Sequence, residues 1–397
     1  MTNVQARVRY SRAELVERVH SVGPTLAAGV ARGDRERRLP EDTVHAINES
    51  QVDRLWTARS YGGLETDVRT LSEVTKVLSH YCPSTSWVVN NINGSNLLSG
   101  RFPERTRDEV FADNPGAKLA SVFVTAGEAR RTDGGYLLTG TWPYASGILH
   151  DDWAILAAKE VAADGSTTRP MSVLVPTGDL VIEDSWFTVG MRATGSHTVV
   201  ATEVFVPGNR VIPLWEQLGR QHCGDITLPP LFRSPAVASM AVICASVVVG
   251  IGQAALALVV DRAPGRGVAP TVYTSRPDSG TFVSELGRTA LTIDAAELHV
   301  NRAADVIDQA AVAAEPLPES ELRRIRGDVG QAAKLVTSAL DELMYANGAG
   351  SFAESSPLQQ FWRDANTAAR HAMLNVHVGH ELYGGGFFGL DSIVPSL

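Results

Sequence analysis

The chain of 397 residues has little cysteine and no cluster of positive charge. Cys82, Cys223 and Cys244 are far apart and form no CxxC pair. That excludes a disulfide framework and a thiolate zinc site, and it fits a reducing cytoplasm. The formal net charge is -9, and Arg35-Glu36-Arg37-Arg38 is a short run mixed with acid, read as a solvated face. Nucleic acid and anionic membrane surfaces reward clustered Lys and Arg, so neither is expected as a partner. No GxGxxG follows a strand and opens a helix, and no GxxxxGK[ST] occurs, so the chain has no sequence sign of its own nicotinamide or P-loop site. The Met1–Arg7 stretch lacks the apolar run of a signal peptide. Another absence needs a different reading. Ala236–Val260 contains no charge and is long enough to span a bilayer, but it is rich in Ala, Ser and Gly, carries Gln253 and has no second span beside it. It reads as a helix buried in a bundle or a subunit interface. His377, His380 and Glu381 have helical spacing, but no carboxylate helix matches them, so no metal is expected.

Hydrophobic residues make up 44% and charged residues 20%, the balance of a soluble globular protein. Ser11-Arg-Ala-Glu14 is a capping box opening a helix to about Ala31, with a bend or break expected at Gly23-Pro24. Further helices are expected over 40–50 and 70–81, and from Ser84 with a choice of hydroxyl N-caps. Six β-branched or aromatic runs follow, at 117–126, 135–142, 152–160, 169–176, 180–187 and 198–206, with a hairpin signal at Asp133-Gly-Gly135. Long helical patterns return at 235–262, 279–312, 318–348 and 357–383, as in a four-helix bundle. The expected divisions are a helical domain at 1–115, a β-domain at 116–215 and a bundle at 216–397. The pattern alone gives an α+β, mostly helical protein.

Chemistry concentrates in three segments. Gly140-Thr-Trp-Pro-Tyr-Ala-Ser-Gly-Ile-Leu-His150 and Gly190-Met-Arg-Ala-Thr-Gly-Ser-His197 place glycines and hydroxyls beside an aromatic. Such backbone can lie close to a flat polar heterocycle, with Ser and Thr bonding ring nitrogens and carbonyls. Trp142 is either a stacking face or a core plug, Ser146 either a ring contact or a turn cap, and Arg192 either an ion-pair partner or a phosphate contact. The third segment is Pro357-Leu-Gln-Gln-Phe-Trp-Arg-Asp-Ala-Asn-Thr-Ala-Ala-Arg-His371. Asp364, Thr367 and His371 share one face if the helix is continuous, with Asp364 two turns from His371 and suited to pairing with an Arg.

Together these segments resemble the flavin-dependent monooxygenases built on the acyl-CoA dehydrogenase fold, from about residue 10 to about residue 390. The resemblance implies an N-terminal helical domain, a central β-barrel or sandwich and a C-terminal four-helix bundle. It implies an enzyme that uses reduced flavin and O2, forms a C4a-hydroperoxyflavin and hydroxylates a small aromatic or polyketide-like substrate. Ser146 is then a catalytic contact near flavin N5, and His371 a base or a hydrogen-bond partner at the reacting centre. Trp142, Thr194, Gly195 and Ser196 would line the ring. Arg266, Gly350 and Ser351, in the stretch Asn347-Gly-Ala-Gly-Ser351 and the link carrying Arg266 and Arg276, would meet the phosphate. Trp87 and Asn91, on an amide-rich helix with Asn90, Asn93 and Asn96, would meet the substrate, as would Tyr383 in the terminal turn. The cofactor is expected to be FMN as FMNH2, with FAD possible, supplied by a separate NAD(P)H-flavin reductase. The closest flavour is that of polyketide-tailoring members, in secondary metabolism and antibiotic biosynthesis. N-oxygenation of an amine, as in aminosugar nitrososynthases, stays open because of the amide-rich helix. An acyl-CoA dehydrogenase proper would need a catalytic glutamate, and none follows Tyr383-Gly-Gly-Gly386 in this chain; a non-catalytic member would not need Ser146, Thr194 and His371 together. The apolar Ala236–Val260 helix leads us to expect a homotetramer.

Overall fold

The computed structural model describes residues 10–162 and 165–394; the Met1–Arg7 stretch lies outside them. Among the described residues five α-helices come first: α1 Arg12–Glu36, α2 Glu41–Ser50, α3 Val68–Tyr81, α4 Pro83–Ser99 and α5 Glu104–Phe111. The capping box of α1 is formed, with the Glu14 amide donating to Ser11 Oγ at 3.2 Å and the Ser11 amide donating to Glu14 Oε2 at 2.7 Å. Contrary to expectation, α1 runs unbroken through Gly23-Pro24 and past Ala31. Leu15, Val19 and Leu26 are fully buried, and Gly23 lies so close to the Tyr81 ring that a Cβ there would sit 2.3 Å from it. Packing on α3 outweighs the one amide that Pro24 lacks. No hydroxyl caps α4: Pro83 occupies its first turn after Cys82, where a missing amide costs nothing.

Among the described residues seven strands follow: β1 Leu119–Thr132, β2 Gly135–Ala145, β3 Trp153–Val161, β4 Thr167–Pro176, β5 Val181–Glu183, β6 His197–Pro207 and β7 Val211–Pro213. They form one sheet in the order β5-β6-β2-β1-β3-β4-β7, antiparallel except for β1 against β3. The hairpin falls at Asp133-Gly134, with Gly134 at φ +76°. Alternate residues of β1, β2, β3, β4 and β6 build a core belonging to the sheet itself.

The remaining helices are two short ones, α6 Leu214–Leu218 and α7 Pro230–Arg233, and then α8 Ala236–Arg262, α9 Gly280–Ala313, α10 Glu319–Asn347, α11 Pro357–Ala368 and α12 Val376–Gly386. Helix α8 is buried within the chain, packed on α3, α4, α9, α10 and α11. Its apolarity is therefore satisfied in one protomer and no longer argues for a tetramer. The expected helix over 357–383 is two helices, and the break carries His371. Buried Arg326 of α10 donates to the carbonyls of Ala372 and Met373, and Asn375 caps α12 by accepting the amides of His377 and Val378 at 3.1 and 3.3 Å. Those captured carbonyls and that cap end one helix and start the next.

Candidate active site

Ser146 follows β2, and its Oγ lies 2.7 Å from Ser196 Oγ, which lies 2.7 Å from Thr194 Oγ1. Thr194 Oγ1 donates to the Met191 carbonyl at 2.8 Å, and Trp87 Nε1 of α4 donates to Ser146 Oγ at 3.2 Å. The two glycine-hydroxyl segments thus meet in one chain of hydrogen bonds. The backbone joins them as well, the Gly147 amide donating to the Thr194 carbonyl at 2.9 Å.

The Gly190–Ser196 loop is held from outside by the Arg363-Asp364 pair of α11. Asp364 Oδ1 accepts the Met191 amide at 2.6 Å, and Arg363 donates to the Val189 carbonyl at 2.6 Å while pairing with Asp34 of α1 at 2.9 Å. Asp364 is therefore a backbone cap rather than the partner of an Arg. Burial pushes its carboxyl up to about 7. Thr367 Oγ1 donates to the Arg363 carbonyl and does not join the face with His371. Arg192 bonds the carbonyls of Asp34 and Thr188, each at 2.8 Å, and lies 3.8 Å from the Asp34 carboxylate, which settles it as structural.

On the other side of Trp87 stands His371, its ring edge-on to the indole at 5.4 Å. It lines a cavity of about 60 Å³ walled by Asn91 and Gly94 of α4, Ser121 and Phe123 of β1, and Met240, Ile243 and Cys244 of α8. The imidazole is open to solvent along this recess yet deep among protein groups. Desolvation, with Arg326 nearby, pushes its pKa down to about 4. Its Nδ1 accepts the Met373 amide at 3.3 Å, so the neutral ring carries its proton on Nε2, which has no protein partner among the described residues. His371 presents a donor here, not a base. Burial raises the Cys244 thiol to about 12, so it stays protonated, and no carboxylate lines the cavity.

The amide-rich face of α4 is mostly structural. Asn90 accepts from Thr75 Oγ1 at 2.6 Å and donates to the Ile243 carbonyl at 2.7 Å. Asn93 ties α4 to Val52 and Trp56, and Asn96 ties it to Asp53 and Thr57. Asn91 and the buried Asn96 each keep an unpartnered Oδ1 among the described residues, and of these two only Asn91 lines the cavity, its Nδ2 donating to the Trp87 carbonyl at 2.9 Å.

Several expected residues lie elsewhere. Trp142 is fully buried in the core of the sheet, with Nε1 donating to the Ala157 carbonyl at 2.7 Å; it is a core plug and cannot stack on a ligand. Tyr383 is not in the cavity wall. Its ring packs edge-on against Phe387 at 4.9 Å, and its hydroxyl accepts from Arg324 at 3.3 Å. Ser351 is a turn residue, its hydroxyl directed at the Gly348 and Met344 carbonyls. Arg276, not the exposed Arg266, reaches this stretch, donating to Asn347. No hydrogen bond joins Arg266, Gly350 or Ser351 to the Ser146 chain among the described residues. Gly195 adopts φ +53°, and a Cβ there would sit 3.1 Å from the Arg37 carbonyl.

The sequence reading missed the walls from β1 and α8, since nothing in an apolar helix marks which side faces a recess. It also missed Asp151. Both Asp151 carboxylate oxygens lack hydrogen-bond partners, and Oδ2 lies 3.0 Å from where a Gly147 Cβ would be. Burial raises the Asp151 carboxyl to about 8, so it is largely protonated beneath the Ser146–Gly147 turn.

A partly free serine hydroxyl, a loop pair rich in backbone approach and a neutral histidine fit a reduced flavin ring beside a small organic substrate. The comparisons agree. The family described as acyl-CoA dehydrogenase, C-terminal domain, matches residues 242–376. The oxygenase subunit HsaA of a flavin-dependent monooxygenase from Rhodococcus jostii (strain RHA1) is 29% identical over 384 residues, covering 94% of this chain and 98% of that protein. The oxygenase component of an FADH2-dependent resorcinol hydroxylase from Rhizobium sp. (strain MTP-10005) is 28% identical over 390 residues, covering 95% and 94%. The solved structure of XiaF from Streptomyces sp., in complex with FADH2 and glycerol, superposes with a TM-score of 0.96 at 70% identity over 97% of this chain and 98% of its own. Shared architecture along the whole chain, at that identity, makes this protein a member of the oxygen-using, flavin-dependent monooxygenases of the acyl-CoA dehydrogenase fold.

Proposed function

We propose that this chain is the oxygenase component of a two-component system that hydroxylates a small, electron-rich aromatic compound. The observation that carries the reading is the pair of groups flanking Trp87, the Ser146 hydroxyl chain on one side and the apolar cavity with His371 on the other. When bound, the reduced flavin supplies two electrons to dioxygen. Ser146, aligned through Ser196 and Thr194, would meet the polar edge of its ring. Phe123, Met240 and Ile243 would enclose an aromatic ring, with His371 Nε2–H and Asn91 Oδ1 as its polar contacts. The cavity offers no base at neutral pH, so the substrate is one that reacts without being deprotonated there. The support for amine oxygenation falls away, since the three amides beside Asn91 hold the fold. A dehydrogenase would need a carboxylate in the cavity.

FADH2 is favoured over FMNH2 because XiaF, 70% identical, holds FADH2. Arg266 and the Gly350 backbone remain our assignment for the flavin phosphates, with electrons delivered by a separate reductase, since relatives are oxygenase components. A cytoplasmic homotetramer is part of the proposal, now supported by exposed Val283, Leu291 and Leu298 along α9. The test is single turnover with FADH2 and ¹⁸O2 against panels of phenols, fused aromatics and primary amines. One ¹⁸O in an aromatic product is expected. Oxygen transfer to amines alone, with aromatics untouched, would replace this reading.

A further inference from the structure

The chain Trp87–Ser146–Ser196–Thr194–Met191 has a direction. The Thr194 hydroxyl proton goes to the Met191 carbonyl, which also accepts Trp186 Nε1 at 3.0 Å and cannot donate. Thr194 Oγ1 must then be the acceptor in its 2.7 Å contact with Ser196, and Ser196 the acceptor in its 2.7 Å contact with Ser146. Trp87 Nε1 can only donate, so it fills one lone pair of Ser146 Oγ. Ser146 is left with its proton engaged and one lone pair free.

We infer that Thr194 and Ser196 make Ser146 an obligate acceptor, and that this polarity selects reduced flavin over oxidised flavin. The inference rests on the reading that Ser146 faces the flavin N5. Reduced flavin carries a hydrogen on N5 and donates it; oxidised flavin has only a lone pair there, which would face another lone pair. An unmet pair of acceptors in a buried site costs on the order of one hydrogen bond. The chain also ends on a backbone carbonyl rather than a base. A proton leaving a bound flavin's N5 would find no basic group along this chain. Thr194 and Ser196 touch neither N5 nor substrate in this arrangement; they are positioning residues.

The experiment measures dissociation constants of oxidised FAD in air and of reduced FAD under anaerobic conditions, together with the midpoint potential of the bound flavin. The native chain prefers reduced FAD. Thr194→Val releases the Ser196 and Ser146 protons to turn, and it lowers that preference about tenfold, which moves the two-electron potential down by about 30 mV. Thr194→Ser keeps the oxygen and stays near native, so a loss caused only by disturbed folding shows as a drop in both variants. Ser146→Ala abolishes the preference. If Ser146→Ala does so while Thr194→Val keeps the native ratio, the polarity argument is overturned and the flavin reading stands. If Ser146→Ala also leaves both constants unchanged, the ring is not at Ser146, and both fall.

Discussion

The two sides of Trp87 differ in how their polar groups are satisfied. Toward Ser146, each hydroxyl proton has a protein acceptor, and the loop that supplies them is fastened by Asp364, Arg363 and Asp34. Toward His371, the polar groups that matter have no partner: Nε2 of the imidazole and Oδ1 of Asn91 face a recess otherwise lined by Phe123, Met240 and Ile243. The first side is organised in advance for one chemical group; the second leaves its partners to be supplied by a ligand. Enzymes that share a cofactor and differ in substrate would be expected to divide in this way, since preorganised polar groups fix one partner and open ones accept several.

The sharpest way to break the fastened side is Gly190→Ala. A Cβ at this position would lie 2.2 Å from the Arg363 carbonyl oxygen, which belongs to a helix backbone and cannot move aside. The loop must lift off α11, and a loss of about 3 kcal/mol in unfolding free energy is expected, with weakened flavin binding. Denaturant titration checks the first and flavin titration the second. A variant with native stability would mean that the loop is not pinned here.

On the open side the largest effect is expected at His371. Because its pKa lies near 4, the ring is neutral through the physiological range. Acid protonates it only as pH falls towards 4, so kcat/KM has no inflection from this group between pH 5 and 8. A hydrogen-bond donor should also be replaceable. His371→Asn keeps an N–H and loses about tenfold in hydroxylation, whereas His371→Ala loses about 100-fold. A profile that inflects near 6.5 and collapses equally in both variants would restore the base role.

Much of the fastened side could be read from sequence because it depends on local signals. Glycine beside Ser and Thr marks backbone that approaches another group, and Ser146, Thr194 and Ser196 do converge. The Arg363-Asp364 pair was legible as important but not in its role, since nothing local says that Asp364 caps Met191 across the fold. The open side was read only in part: Trp87, Asn91 and His371 do stand at the recess, but its walls from β1 and α8 were not named. Trp142 and Trp87 are equally aromatic in sequence, and only the register of β2 turns Trp142 into the sheet core. The break after α11 was missed because its cause, the Arg326 guanidinium, comes from another helix. Helix α4 misled for a related reason: a row of asparagines reads as a polar surface, yet the helix is buried nearly all round and its amides replace water for neighbouring backbone.

Asn91 therefore provides the finest test of the difference between the two sides. Asn90, one residue before it, has both ends of its amide engaged by Thr75 and Ile243, so Asn90→Ala takes the acceptor from a buried hydroxyl and the second donor from a helix carbonyl, and should cost about 2 kcal/mol of stability. Asn91 contributes only a bond back to the Trp87 carbonyl within its own helix, and its free Oδ1 lies at the recess. Asn91→Ala should leave stability within about 0.5 kcal/mol of native and raise KM for the aromatic substrate about threefold to fivefold, with kcat little changed. Unfolding curves and steady-state kinetics on the two variants separate the roles. Equal loss of stability in both would make Asn91 one more structural amide, and the recess would keep a single polar contact, His371.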